Sequence, residues 1–367
     1  MKIAHVCARY FPFFGGVEVH VQNISENLVA RGYEVSVFTT DPTGKLPKVS
    51  TINGIRINRF KAFAPQESYY FSASLFKALK SAHVDLIHGH GLQSFPLWLG
   101  SLAKGQRKFV ATLHSGGTSS RFRRSLRFPY ERFILHHALK KAEKIICVST
   151  YELRMYPRVL RISPTKFMYI PNGTDIASSI EAHQPKTSRM ILSVGRLERW
   201  KGFHTVIESF AILRNEKGFE DLELVIVGKG PLKRELVNLA HKTGVARNVT
   251  MAEDIPRKEL IELYHQCDAF VHLCDHGYPG IAAFEAIALR KPVVTPTLGV
   301  MKSYVEEGYC LGVDSPPNPL EVAEKLRNVL ENPNAFRPAK MRILTWNDVT
   351  ERLIVLYEGI SKHTALA

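Results

Sequence analysis

Short β-branched runs alternate with amphipathic helical stretches along almost the whole chain. No other feature narrows the fold as much, because strands separated by helices form parallel sheets whose faces the helices cover. In the front half the strand pattern falls at 2–7, 34–39, 85–88, 108–113, 144–148 and 166–170, with helical periodicity near 17–31, 72–82 and 127–142. In the back half it falls at 190–194, 222–227, 248–251, 269–273 and 292–295, again with helices between. The stretch 177–188 has neither period and is rich in polar and small residues, which reads as a linker. A chain of 367 residues also exceeds one ordinary core. The expectation is an α/β protein of two Rossmann-like parallel-sheet domains, 1–178 and 179–345, with a C-terminal helical segment over 346–367 returning to the first.

Charge limits the partners. Lys and Arg number 49 against 34 Asp and Glu, a net charge of +15 that attracts anions: phosphorylated ligands, nucleic acid or anionic lipid. No nucleic-acid recognition motif accompanies it. The five cysteines are scattered without a Cys-x-x-Cys pair, which argues against a disulfide framework or a zinc-thiolate site and fits a reducing cytoplasm. The apolar run at 1–6 stops at Arg9, too short for a signal peptide or a membrane span.

In open parallel sheets ligands bind beyond the carboxyl ends of strands, so the strand-to-helix junctions are where chemistry is expected. After the first strand, Gly15 and Gly16 in Phe14-Gly15-Gly16-Val17-Glu18 either form a turn or let backbone amides at a helix start approach a phosphate. After the strand at 190–194, Arg196 and Lys201 flank a helix start. A guanidinium fork and an ammonium there either hold both phosphates of a diphosphate or decorate a solvated loop. Gly228, Gly230 and Pro231 close a strand and open a helix, but a dinucleotide fingerprint needs a third small residue where this chain has Lys233. The run Gly280-Ile281-Ala282-Ala283-Phe284-Glu285 opens a helix that is apolar on nearly every face and carries one carboxylate. A buried Glu285 needs a partner, either ribose hydroxyls or an internal arginine. Histidines gather at strand ends. His88 and His90 form a His-x-His pair with no evident third metal ligand, and His114 at a glycine-flanked strand end is placed to meet a substrate hydroxyl.

Taken in order, these segments resemble the retaining glycosyltransferase family 4, of the GT-B fold, across essentially the whole chain. Gly15-Gly16-Val17-Glu18 is similar to its first-loop Gly-Gly-x-Glu, and Pro171-Asn172-Gly173-Thr174-Asp175 to its Pro-Asn-Gly-x-Asp junction. Gly195-Arg196-Leu197 with Lys201-Gly202 resembles its diphosphate clamp, and Gly228-Lys229-Gly230-Pro231 and Glu285-Ala286 fall where that pattern expects them. The resemblance implies two domains facing across a cleft and a UDP- or GDP-sugar co-substrate held mostly by the second. It implies no metal and no separate cofactor. It assigns Gly16 to phosphate or sugar, Arg196 and Lys201 to the diphosphate, Glu285 to the ribose and His114 to the transferred sugar. Three departures stand near the expected sugar site: Gly277 where the pattern has a first carboxylate eight residues before Glu285, Leu289-Arg290 before Lys291-Pro292, and Leu298-Gly299-Val300-Met301-Lys302 in place of Gly-Gly-x-Pro-Glu. Asp275 or His276 is the substitute at hand for the missing carboxylate.

Arg121, Arg123, Arg124 and Arg127 interleave with bulky apolar residues in the half where such enzymes bind acceptors, a composition suited to an anionic lipid surface at the cytoplasmic membrane face or to a plain basic surface. The aromatic and lysine-rich stretch 60–80 is a second acceptor candidate. The expected activity is transfer of a sugar to a lipid-linked or saccharide hydroxyl. A nucleotide-sugar epimerase and a non-catalytic nucleotide-sugar-binding protein are the competing readings.

Overall fold

A computed structural model describes the whole chain except residues 14, 66–68, 93, 115–129, 177–187, 279, 333–335, 337, 342 and 363–367, and the side chains of Glu131 and Arg132. The chain divides into two units, Met1–Gly173 with Leu344–Ala367, and Thr174–Ile343. The boundaries thus fall a few residues before 178/179 and 345/346. Most of the expected linker, and Arg121, Arg123, Arg124 and Arg127, lie outside the described residues.

The first unit holds β1 (Lys2–Val6), α1 (Gly16–Ala30), β2 (Glu34–Thr40), β3 (Val49–Ile52), β4 (Ile55–Phe60), α2 (Ala73–Ser81), β5 (Leu86–His90), α3 (Phe95–Ala103), β6 (Lys108–Thr112), α4 (His136–Lys140), β7 (Lys144–Cys147), α5 (Thr150–Leu160) and β8 (Phe167–Tyr169). Its eight strands run in the order β3-β4-β2-β1-β5-β6-β7-β8, parallel except for β3. The pairing of Ile3 with both Val35 and Leu86 puts β1 at the point where the strand order reverses. The second unit holds β9 (Met190–Val194), α6 (Phe203–Arg214), β10 (Glu223–Val227), α7 (Lys233–Lys242), β11 (Val249–Ala252), α8 (Arg257–Gln266), β12 (Ala269–Val271), α9 (Gly280–Ala288), β13 (Val293–Pro296), α10 (Gly299–Glu306), β14 (Leu311–Val313) and α11 (Pro319–Glu331). Its six strands run β11-β10-β9-β12-β13-β14, all parallel, with the reversal at β9 between β10 and β12.

Each sheet is buried on both faces. Ile3, Ala4 and Val6 in the first unit, and Ile191, Leu192, Leu224 and Ile226 in the second, are fully covered. That is why these strands read as continuous apolar runs rather than alternating ones. A last helix, α12 (Trp346–Lys362), belongs to the first unit and turns Trp346, Val349, Leu353 and Tyr357 inward. Tyr33 Oη donates to Glu358 at 2.9 Å and Arg31 pairs with Glu351 at 3.9 Å, tying α12 to the end of α1. Among the described residues, no helix is long and apolar enough to cross a membrane.

Candidate functional site

In the second unit, β9 stops at Val194 and the chain turns through Gly195, Arg196, Leu197 and Glu198 into a short 3-10 turn, Arg199–Lys201, before α6 begins. Gly202 makes that entry in the left-handed region, at φ 71°, where a Cβ would stand 2.5 Å from Leu273 O. The Lys201 side chain folds back over Gly195, and its Nζ lies 4.5 Å from the Trp200 ring centroid. It also lies 3.9 Å from the point where a Cβ on Gly280 would stand, so the ammonium meets the first residue of α9. Burial, chiefly, and the neighbouring Arg196 charge hold Lys201 below the usual lysine range. Among the described residues no carboxylate reaches ion-pair distance of Lys201. Arg196 is held by Glu198 at 2.7 Å, and Glu198 also accepts from Trp200 Nε1. Arg196, Lys201 and the start of α9 at Gly280 and Ile281 therefore gather at the carboxyl edge of the reversal point. An ammonium beside a helix N-terminus is a setting that favours an anion.

Gly228 and Gly230 have a packing role. A Cβ on Gly228 would stand 1.8 Å from Gly195 O, and one on Gly230 2.5 Å from Leu197 O. The loops after β9 and β10 thus lie backbone against backbone, joined by Gly195 N to Val227 O at 2.9 Å and Leu197 N to Lys229 O at 3.0 Å. Pro231 is exposed in the turn before α7. These residues shape the Arg196 loop from beneath, which the sequence pattern did not reveal.

Glu285 has the internal partner that the sequence left open. Its carboxylate is 4% exposed and takes a two-pronged contact from Arg257, with Nη1 to Oε2 at 3.0 Å and Nη2 on Oε1. Burial raises the Glu285 pKa, while Arg257 and the Tyr264 hydroxyl oppose the rise. Arg257 opens α8, and its side chain is half exposed, so the pair faces solvent on one side. Sequence reasoning missed Arg257 because nothing local links a helix-start arginine to a carboxylate 28 residues later.

The departures from the family pattern at 277 and 298–302 have one structural cause. Gly277 sits at φ 65°, and a Cβ there would stand 2.0 Å from Leu298 O and 2.7 Å from Gly299 N. Gly299 is itself left-handed at φ 57°, and Met301 N donates to Gly277 O at 3.0 Å. The two loops pack main chain to main chain, leaving no room for a carboxylate at 277. Beside them His276 Nδ1 meets Asp275 at 2.7 Å, and the His276 ring stacks on Trp200 at 5.8 Å and 4°. Arg290 takes the left-handed helix-end position at φ 56° and reaches Pro338 O through Nη2 at 3.1 Å.

In the first unit, Gly15 precedes α1 in extended backbone, and a Cβ there would strike Glu18, whose carboxylate is held by Arg9 at 3.0 Å. Above Gly16, by contrast, no described residue beyond its own helix and chain neighbours lies within 4 Å of a Cβ position. His114 follows β6 at φ 42°, an uncommon conformation for a non-glycine residue. It is one of five clustered imidazoles. His5 and His90 come from β1 and β5, His88 from β5 and His20 from α1. His5 Nδ1 lies 2.9 Å from His90 Nε2, and His90 Nδ1 lies 3.3 Å from His114 Nε2. His88 meets Tyr357 Oη at 2.6 Å and Thr112 Oγ1 at 2.7 Å, while His20 Nδ1 meets Asn172 Oδ1 at 3.0 Å. Burial is the first cause that depresses all five, His5 to about 3 and His20 to about 4, with neighbouring imidazoles adding to the effect at every position but His20. All are neutral at pH 7. The sequence singled out the His88/His90 pair and, separately, His114, but neither His5 nor His20. The third imidazole for a metal ion, absent from that reading, is present here: His5, His88 and His90, and His20, His90 and His114, each bring three nitrogens within 4.8 Å of one another.

The chain matches a "Glycosyltransferase Family 4" model over residues 14–178 and a "Glycosyl transferases group 1" model over residues 176–342. It is 21% identical to the phosphatidylinositol N-acetylglucosaminyltransferase subunit of Saccharomyces cerevisiae over 381 residues, covering 98% of this chain and 83% of that one. Among solved structures, sucrose-phosphate synthase from Thermosynechococcus elongatus superposes with a TM-score of 0.75 at 20% identity, covering 99% of both chains. The Anabaena protein HepE in complex with UDP gives 0.69 at 19%, covering 100% of both. Two successive matches spanning 14–342, on two parallel α/β sheets of this topology, place the chain in glycosyltransferase family 4: it is a glycosyltransferase of the GT-B fold.

Proposed function

We propose that the enzyme moves a sugar, with retention at the anomeric carbon, from a nucleoside diphosphate to a hydroxyl of a lipid-linked or saccharide acceptor, without a metal on the diphosphate. The observation that carries this reading is Lys201: an ammonium with no carboxylate partner among the described residues, set on Gly195 at the head of α9 with Arg196 beside it. Two cations and a helix N-terminus supply the charge stabilisation that a departing diphosphate needs. The C–O bond from the anomeric carbon to the diphosphate breaks, the acceptor oxygen forms the new bond on the same face, and its proton passes to the departing phosphate oxygen. Relatives favour such substrates: one is named for phosphatidylinositol and another was solved with UDP. Glu285 serves the ribose once Arg257 yields part of the carboxylate, and Gly16 and His114 of the first unit serve phosphate or sugar oxygens.

The test is a panel of UDP-, GDP- and ADP-sugars incubated with the enzyme, with nucleoside diphosphate release and sugar identity both followed. Slow donor hydrolysis that Lys201→Ala abolishes supports transfer chemistry. Interconversion of the sugar means an epimerase. Tight donor binding without either product means a binding protein, the outcome that Gly277, lacking a carboxylate, would then explain.

A further inference from the structure

The histidine cluster of the first unit has a built outer shell. Asn172 Oδ1 only accepts, so the contact at 3.0 Å places the His20 proton on Nδ1 and leaves Nε2 as a bare lone pair. That Nε2 is buried and has no hydrogen-bond partner among the described residues, in a residue only 2% exposed. His90 is flanked on both sides, by His5 Nδ1 at 2.9 Å from its Nε2 and by His114 Nε2 at 3.3 Å from its Nδ1; in the tautomer that donates from Nε2 to His5, its Nδ1 presents a lone pair towards His114. One nitrogen from each of His20, His90 and His114 lies within 4.8 Å of the others. Zinc–imidazole bonds of about 2.0–2.1 Å in a tetrahedron separate ligand nitrogens by about 3.3–3.4 Å, the spacing His90 and His114 already have. Imidazoles without a carboxylate suit zinc, cobalt, nickel or copper rather than magnesium or calcium. His114 is the least buried of the three, and zinc held by three protein ligands takes water as its fourth. The deeper triple is the poorer candidate, because both nitrogens of His88 are engaged by Tyr357 and Thr112 hydroxyls.

We propose that His20, His90 and His114 form a three-histidine site for a divalent transition metal of the zinc class, oriented by Asn172 and His5. The proposal concerns the first unit alone and makes no use of the Arg196 and Lys201 cluster; it shares only His114 with the proposed function, as an alternative to that imidazole's sugar contact. Its test is titration of the full chain, stripped with chelator and dialysed, with Co2+ and Zn2+. Metal content and the visible bands of tetrahedral cobalt are the readouts. One equivalent per chain is expected, weakened at least about tenfold by His20→Ala or His114→Ala and about tenfold by Asn172→Ala, the usual effect of losing an outer-shell partner. His241→Ala, at an exposed histidine on α7, leaves binding unchanged. Circular dichroism checks folding, and the partly exposed His114 variant carries the test if His20→Ala unfolds. The proposal is overturned by sub-stoichiometric binding, by binding indifferent to both His20 and His114, or by loss only on substituting His5 or His88.

Discussion

Replacing Gly277 with alanine probes the account of why this chain departs from its family near the sugar site. The residue is left-handed, and a Cβ would stand 2.0 Å from Leu298 O, a backbone atom that moves only if the 297–301 loop moves. The conformation costs about 1–2 kcal/mol for a side-chain-bearing residue. Displacing the packed loop adds about 1–3 kcal/mol, by the scale of overpacked sites. The combined loss is about 2–5 kcal/mol. For a unit of this size, about 2–4 °C per kcal/mol makes that a fall of roughly 4–20 °C in the second unit's melting transition, read by calorimetry. Gly244→Ala is the control, because Gly244 has φ 78° in the same unit and no described residue beyond its chain neighbours lies within 4 Å of a Cβ there, so it bears the backbone cost without the clash. The difference between the two variants isolates the loop contact. Gly277→Glu should melt at least as low as Gly277→Ala and gain no activity. A Gly277→Ala protein that melts with the Gly244→Ala control would refute the reasoning.

Other outcomes follow from the same geometry. Lys201→Ala and Arg196→Ala should each lower turnover by at least about a hundredfold in a donor-release assay. Arg257→Ala strands a buried carboxylate. Because Arg257 is half exposed, the loss is about 1–3 kcal/mol, below the range for a fully buried pair. Removing Arg257 raises the Glu285 pKa further, so the loss measured by urea unfolding should be small in mild acid and grow as pH rises. His5 and His20 have folded pKa values near 3 and 4, below the ordinary 6.5, so the unfolded chain binds their protons first. Stability with chelator present should therefore fall below about pH 6.5, by roughly 2 kcal/mol per residue at pH 5, and be flat from pH 7 upward in this contribution. Tyr357→Phe removes the hydroxyl on His88 and should cost about 1–2 kcal/mol in the same assay.

The parallel-sheet architecture was legible because buried strands such as Met190–Val194 and Glu223–Val227 are mostly apolar, broken only by Ser193 in the first and by the exposed Glu223 at the start of the second. The antiparallel hairpin of β3 and β4 was overlooked although its turn, Asn53-Gly54 with φ 50° and 77°, is a strong hairpin signature. Helix α3 hid for the opposite reason: Leu97, Leu99 and Gly100 are buried on several faces, so no 3.6-residue contrast shows. At the candidate site, the sequence marked Arg196, Lys201 and Glu285 from local pattern alone. Arg257 on Glu285, Asn172 on His20 and the loop beneath Gly277 were not legible. Each is a meeting of segments that only the sheet topology brings together.

Calorimetric titration of UDP and GDP into the wild-type enzyme, Lys201→Ala and Arg196→Ala tests the central claim most directly. If the two cations hold the diphosphate, whichever nucleotide binds should lose at least about tenfold in affinity in each variant, the scale of a charge-assisted contact, while the bare nucleoside binds as before. Unchanged diphosphate affinity in two well-folded variants would contradict the account.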